Sequence, residues 1–565
     1  MSKKRNFDKQ EGLEITKSVP KRIGFFSAVI MTIGCCIGSG IFFKSGTVMQ
    51  YSNNSILLSL GCWIIAAMGV IAMAIALIDI ASQSKKDNRG FLSWIKKFNK
   101  FFVYKMAKNY FAFFYIPINW FVLPVYIFQS LQSGLCYIGA TWANNQVQFS
   151  EFGQNVLNFP WWGVLIVSTL LASWFIIMSG LSVKFGNLTS LVVNSIKFIP
   201  LGFALIIGFV IFGLNGSTPK GNVLPYEPIV ETTTGPMSFF ALSPVFGVFM
   251  SMSAIFFAYD GFYVAAGLGD KLKEPKKIPW ILLTGLLIVT AVYLIIALGI
   301  TLGAKGGQWE NIGEFFVAKN LSWIYVIINT IIAIGIIGGL NGYAMWGALL
   351  YEDLLADYEA PFSKKLQKYL HKKRSYVGTF YQFIIGVPIL VLFIVIGAFA
   401  YNQAGKATIY STEMGNVYAL CDLLSNWQTV IAFMFIAIAI LSYSIKKIIS
   451  HSKKTARDWF FISCGLFSSI IVMIGLLAQF VAPFVNLGLQ VSWNDSHPDK
   501  QVSIISNICL IVLLFVIILL CVIPSIIEMK NKKLILMHNL QNKIDDLQLK
   551  LAELEQQKQQ MITYK

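Results

Sequence analysis

The sequence predicts an all-α integral membrane protein with twelve transmembrane helices, the first and sixth of them discontinuous near mid-membrane. Three observations carry that reading. The 565 residues are 56% hydrophobic and 13% charged, against about 25% charged in a soluble domain. The apolar residues fall in evenly spaced blocks, each near or above the roughly 20 residues that cross a bilayer as a helix. Two of those blocks, five apart in order, carry glycines or a carboxylate at their centre.

The blocks are 23–50, 55–81, 110–141, 160–182, 188–214, 239–269, 278–304, 320–351, 377–401, 416–445, 458–483 and 502–527. They divide the chain into an N-terminal tail over 1–22, a twelve-helix domain over 23–527 and a C-terminal tail over 528–565. With the N-terminus inside, 38 of the 45 Lys and Arg residues fall in 1–22, 82–109, 183–187, 270–277, 352–376, 446–457 and 528–565. That asymmetry is the positive-inside pattern, and it places both termini in the cytoplasm of a multi-pass cell-membrane protein. The net charge of +18 then faces anionic lipid headgroups and needs no nucleic-acid partner. The first 22 residues are polar and include acidic ones, unlike a cleavable signal peptide.

The eight cysteines lie in or at the edges of apolar blocks without CxxC spacing, and read as small apolar packing residues. His371, His451, His497 and His538 are scattered over loops and tail, so neither a metal site nor a cofactor is expected. The inner stretch "FLSWIKKFNKFF" reads as an amphipathic segment on the membrane surface. In the tail, Met537, Leu540, Ile544, Leu547, Leu551 and Leu554 recur at steps of three and four. That short heptad seam suits a homodimer and a solitary amphipathic helix equally.

The first interrupted block contains "GCCIGSGIFFKSG" over residues 34–46, and the sixth contains "FFAYDGFYVAAGLGD" over 256–270. Glycine weakens a helix by about 1 kcal/mol relative to alanine. A carboxylate at mid-membrane, as at Asp260, costs about 2.5 kcal/mol or more and so faces protein or a wet cavity. Irregular backbone survives in a bilayer only where protein or such a cavity satisfies its polar groups. Two interrupted segments five spans apart are the pattern of inverted five-span repeats meeting at a binding site. Unwinding at Gly38–Ser39–Gly40 frees N–H groups at the start of a new half-helix near Ile41, which favours an anion. Unwinding around Ala258–Tyr259–Asp260 frees carbonyls that suit an ammonium group. Together they fit a zwitterionic α-amino acid. The competing reading is close helix packing, for which Gly34 and Gly38 have the right spacing.

The same residues resemble the amino acid–polyamine–organocation (APC) superfamily. "IGSGIF" is similar to its first-span motif, and "FFAYDGFYVAAG…LKEPKKIP" to its sixth-span motif and following loop. "NSIKFIPLGFALIIG" and "LYEDLLADYEAPFSKKL" resemble its fifth span and the end of its eighth. The resemblance runs over about residues 20–527. It implies a LeuT-type fold of five plus five inverted spans with two further helices, and amino acid transport by exchange or proton coupling. By position it implies that Ile37, Gly38, Ser39, Gly40 and Ile41 receive the substrate carboxylate. Phe257, Ala258 and Tyr259 would receive the amino group and supply an aromatic cover, with Asp260 and Gly261 completing the motif. Lys271 stands where the family often has Glu, with Asp270 one step off, so no inner-gate ion pair carries over from there.

Lys197 is the one basic residue deep in a span. Snorkelling is the plain reading. The resemblance implies instead that it stands where sodium-coupled relatives hold a cation, which agrees with an eighth span, "GIIGGLNGYAMWG", that has no Ser or Thr in its central part to ligate sodium. Tyr115, Asn119, Trp120 and Tyr126 of the proline-containing third span, and Asn341 of the eighth, are candidate side-chain contacts. Asp79 and Glu352–Asp353, at inner span ends, read as solvated. The function expected is sodium-independent secondary active transport of amino acids. The alternatives are a polyamine or organocation transporter, or an amino acid sensor without a transport cycle. No ring of charges supports a channel, and no catalytic cluster supports an enzyme.

Overall fold

Inside a bilayer only helices and closed barrels satisfy all backbone polar groups internally. The computed structural model describes residues 24–38, 40–83, 91–214, 238–262, 277–370, 375–402, 409–450, 454–493 and 500–529, with isolated positions between 536 and 548. Among them the regular structure is helical apart from one antiparallel hairpin, β1 (Thr141–Ala143) and β2 (Gln146–Gln148). In chain order the helices are α1 (Phe25–Cys36), α2 (Gly40–Tyr51), α3 (Ile56–Gln83), α4 (Phe91–Phe98), α5 (Phe101–Tyr110), α6 (Ile116–Leu135), α7 (Glu151–Leu157), α8 (Trp161–Leu181), α9 (Val183–Ile196) and α10 (Phe198–Leu214). There follow α11 (Pro244–Tyr259), α12 (Ile278–Gly303), α13 (Ile312–Ala318), α14 (Ser322–Ala356), α15 (Ser363–Leu366), α16 (Tyr376–Phe399), α17 (Thr412–Ile449), α18 (Ala456–Val491) and α19 (Lys500–Met529).

Ten stretches among the described residues are long and apolar enough to cross a membrane. They fall on ten of the twelve apolar blocks. The other two blocks are the first and the sixth. The first is split into α1 and α2, of 12 residues each. The sixth yields the 16-residue α11, and 263–276 behind it lie outside the described residues. The helix through α5 and α6 is almost wholly buried, packed by α14, α16, α17 and α8. A second group gathers on α3, which touches α12, α18 and α11.

Three expectations need correction. The third span begins at Phe101, nine residues before the expected block. Its lysines looked like loop residues, but Lys108 is fully buried and bonds Glu528 on α19. It also donates to the Glu359 carbonyl at 2.6 Å, and Lys105 stands 3.6 Å from Glu528. Asn109 adds bonds to the Cys521 carbonyl (2.7 Å) and Ser525 (2.8 Å) on the same helix. Secondly, α4 does not present its apolar side to lipid. Leu92, Trp94, Ile95 and Phe98 are buried, with α4 packed on α17 and α5. Lys446 donates to the Phe98 carbonyl at 2.7 Å and Ser442 to Asn99 at 2.6 Å. Eight residues cover little lipid, and the neighbouring helix ends offer both an apolar surface and donors. Thirdly, Asp79 is not solvated: it pairs with Lys447 at 2.5 Å and accepts from Tyr443 at 3.0 Å. In the tail, Met537, Leu540 and Ile544 are exposed; Leu547, Leu551 and Leu554 lie outside the described residues.

Lys108 holds the carboxylates of Glu359, in the segment after α14, and of Glu528 on α19, and removing one partner of a buried ion pair costs about 3–5 kcal/mol. Lys108→Met is therefore expected to lower the melting temperature of the detergent-purified protein sharply. Adding Glu528→Gln to that variant should restore part of the loss, because it removes one stranded charge.

Candidate functional site

The break between α1 and α2 is short. Ile37 is extended (φ −75°, ψ 108°), and its N–H returns to the Ile33 carbonyl. Gly38 follows, Ser39 lies outside the described residues, and α2 starts at Gly40. α11 stops at Tyr259 because Asp260 is also extended (φ −59°, ψ 147°). Gly261 then takes φ +91°, a conformation that a side chain would make costly.

Each break leaves carbonyls without helical donors, and buried carbonyls need partners. The structure supplies them from two neighbouring spans. Lys197, at the step between α9 and α10, donates Nζ to the Gly34 carbonyl. The Tyr293 hydroxyl on α12 lies 3.0 Å from the Cys36 carbonyl and 2.9 Å from the Ala258 carbonyl. One hydroxyl thus serves the ends of both α1 and α11.

The two glycines of the first break differ. A Cβ on Gly40 would stand 2.5 Å from the Ala258 Cα, so α2 sits directly on the α11 backbone. A Cβ on Gly38 would meet nothing within 4 Å. The competing reading, close packing at Gly34 and Gly38, does not hold for Gly38, which faces open space; the close contact falls on Gly40 instead.

That space is a cavity of about 250 Å³. Ile37, Gly38 and Gly40 line it from the first break, and Phe257, Asp260 and Gly261 from the second. Lys197 and Asn119 complete the predicted residues found there, facing the glycine-rich part of α14. Ile41, Ala258 and Tyr259 are buried beside it rather than lining it. The Tyr259 hydroxyl donates to Thr290 at 3.1 Å, so among these aromatics it is Phe257 that borders the cavity. Asn341 is elsewhere: it accepts from Ser179 (2.6 Å) and donates to the Gly186 carbonyl (2.9 Å) and Ser190 (2.8 Å), joining α14 to α8 and α9.

Asp260 is held firmly. Its Oδ2 accepts from the Tyr115 hydroxyl at 2.6 Å and from Thr429 at 3.3 Å, and its Oδ1 from the Gly261 N–H at 2.9 Å. Tyr343 lies 2.9 Å from the Tyr115 hydroxyl, which makes a Tyr343–Tyr115–Asp260 chain. Tyr115 reaches this place from a π-helical turn over Phe111–Tyr115. Pro117 has no N–H for a regular bond to Phe113, and the Ile116 N–H reaches back to Phe111 instead. Such turns frequently mark functional positions. Asn119 donates to the Tyr115 carbonyl at 2.6 Å and accepts from Gln428 at 3.3 Å.

The main group that sequence reasoning missed stands beside Phe257. Lys44 on α2 is fully buried, with Nζ 2.6 Å from Asp422 Oδ1 and 2.6 Å from Ser425 Oγ on α17. It also stands 4.8 Å over the Phe257 ring. Thr47 donates to the other Asp422 oxygen at 3.0 Å, and Tyr126 stacks on Phe43 with centroids 4.9 Å apart. Beyond this barrier is a second cavity of about 350 Å³, lined among others by Gln129, Glu310, Glu314 and Asp422. Asp422, a carboxylate within an apolar block, carries the signal that flagged Asp260. Tyr293 carries none, because an aromatic residue within a span is ordinary.

Apolar spans enclosing a cavity bordered by two helix breaks define a membrane transport protein. The chain belongs to the amino acid permease family, which matches residues 23–497. It is therefore a multi-pass membrane protein of amino acid transport rather than an enzyme. A Mycoplasma pneumoniae protein described as uncharacterised is 33% identical over 503 residues, 85% of this chain and 87% of that one. The serine/threonine exchanger SteT of Bacillus subtilis is 25% identical over 355 residues, 61% of this chain and 70% of the exchanger. The crystal structure of MhsT in complex with L-phenylalanine overlays at a TM-score of 0.46 with 15% identity, over 80% of this chain and 98% of that one, a likeness too distant to argue from.

The contrast between the two glycines is testable. Gly40→Ala must push α2 off α11, and overpacking of this kind costs about 1–3 kcal/mol. Its melting temperature in detergent should fall, while Gly38→Ala should melt like the wild type yet bind amino acid more weakly, because the methyl enters the cavity.

Proposed function

We propose that this protein is a secondary active transporter that moves amino acids across the cell membrane by alternating access. It has twelve spans in two inverted repeats of five plus two further helices. The first and sixth spans are discontinuous, and both termini are cytoplasmic. The observation that carries the proposal is the meeting of both breaks at one cavity: the start of α2 at one side, Asp260 and the end of α11 at the other. The substrate carboxylate sits at Gly38–Ser39–Gly40, where the positive end of α2 favours an anion. The ammonium group sits by Asp260 and the α11 carbonyls. Phe257 closes over it, and the Lys44–Asp422 pair separates the site from the outer cavity. The C-terminal seam either pairs two copies of the chain or lies as a solitary amphipathic helix.

Lys197 supplies the cation that binds the end of α1 to its neighbours, so transport is independent of sodium. Loss of its proton would release the Gly34 carbonyl and loosen α1, which couples transport to protons or leaves the protein an exchanger. A lysine can release its proton where an arginine does not.

Uptake of a labelled amino acid panel into proteoliposomes tests this, with and without sodium, a pH gradient or internal amino acid. Uptake should persist without sodium and respond to the pH gradient or to internal substrate. Lys197→Arg should bind substrate but lose the pH response. A sodium requirement would overturn the role of Lys197, and binding without uptake under any gradient would favour a sensor.

A further inference from the structure

We propose that the glycine face of α14 sets the side-chain capacity of the cavity, and that the cargo is an α-amino acid with a bulky apolar or aromatic side chain. This rests on the amino acid reading of the site and narrows it. Gly335, Gly338, Gly339 and Gly342 all line the cavity. Gly339 and Gly342 are exposed midway along a 35-residue helix whose other side buries Asn341, Ala344 and Ala348.

Most glycines in these helices have an evident packing reason. A Cβ on Gly347 of the same helix would stand 2.4 Å from Gln382, and one on Gly208 would stand 2.2 Å from Gly299. Gly342 has no such reason, since its Cβ would meet nothing within 4 Å. A Cβ on Gly339 would touch Leu123 at 3.5 Å, an ordinary contact. Glycine weakens a helix, yet no neighbour occupies the space at Gly342, Gly339 meets only an ordinary contact, and a Cβ on Gly335 would stand 3.3 Å from the Lys197 Cβ. What the glycines keep open is the cavity itself.

Leu123, Ile336, Phe257 and Trp346 add apolar and aromatic surface beside these glycines, with Ser190, Asn119 and Tyr343 as the nearby polar groups. The Lys197 stem lies beside Gly335, and its Nζ bonds the Gly34 carbonyl. A dry cavity of about 150 Å³ accepts benzene, so about 250 Å³ has room for a ring or a branched chain beside the main-chain groups.

The test is equilibrium binding of labelled alanine, leucine and phenylalanine to the full-length protein in detergent, paired with uptake in proteoliposomes. Wild type should prefer leucine and phenylalanine over alanine by roughly tenfold or more. Gly342→Val should cut the leucine-to-alanine binding ratio by about tenfold, with Gly342→Ala and Gly339→Ala in between. Gly202→Ala, whose Cβ also meets nothing within 4 Å but which does not line the cavity, should leave the ratio unchanged. If Gly342→Val folds poorly, the Gly342→Ala ratio decides. Equal wild-type binding of alanine and leucine, or a ratio that does not respond to Gly342, would overturn the inference. The predicted ranking seen in binding but without uptake would overturn transport and support the inference. Binding of none of the three would overturn both.

Discussion

The structure depends on one constraint: α1 and α11 both end beside a buried cavity, and the carbonyls they release must find donors there. A buried polar group left without a partner costs about 1–3 kcal/mol, so an unsupported break would tend to heal into continuous helix. Tyr293 and Lys197 remove that tendency. Tyr293 binds the Cys36 and Ala258 carbonyls together, and Gly40 brings the α2 backbone against Ala258. α1, α2, α11 and α12 are thereby tied at one level. Lys197 ties Gly34 to the α9–α10 step, so α1 is held from two directions by a neutral and a charged donor.

The buried charges follow the same logic of compensation. Lys44 and Asp422 lie 378 residues apart in sequence yet meet at 2.6 Å. Ser425, Thr47 and Tyr126 supply further hydrogen bonds around the pair. Lys108 gathers Glu359 and Glu528 from two further segments. In each case a lysine stem crosses apolar surface to a bonded head, Lys44 with three hydrogen bonds and Lys108 with two plus the Glu359 carboxylate at 3.8 Å, as tolerance of a buried ion pair requires. These pairs hold α2 to α17, with Thr47, and α5 to α19, with Asn109 and Lys105. Their positions differ in kind: the first stands between two cavities, the second at the far end of helices that line neither.

How much of this was legible in the sequence depends on whether a feature is local. The placement of spans follows from apolar blocks, and ten blocks reappear as long helices among the described residues. The break at Gly38–Gly40 and the carboxylate at Asp260 violate the rules for a spanning helix within a few residues, and both border the cavity. Span ends were less legible where charges near them are paired elsewhere. Lys105 and Lys108 resemble loop residues until α19 brings Glu528 to them. The surface reading of α4 failed for the same reason, since its apolar side could be matched to lipid or protein and only the fold decides. Asn341 looked like a cavity amide because a polar residue in a glycine-rich span has no stated direction. The backbone turns it to α8 and α9.

Gly38 and Gly40 carry this furthest. Two residues apart on one motif, they are equivalent by composition and by any spacing rule. In the fold, one touches the opposite broken helix and the other touches nothing. The difference arises because α2 begins at Gly40, so its first turn already follows helical geometry and is aimed at α11, while Gly38 still belongs to the connecting strand. A motif read as a single anion-binding segment therefore divides into a contact that positions the break and an opening that borders the cavity. The contact has to be glycine for steric reasons alone. The opening has no steric requirement for glycine in the empty cavity, and what remains to account for it is whatever occupies the cavity.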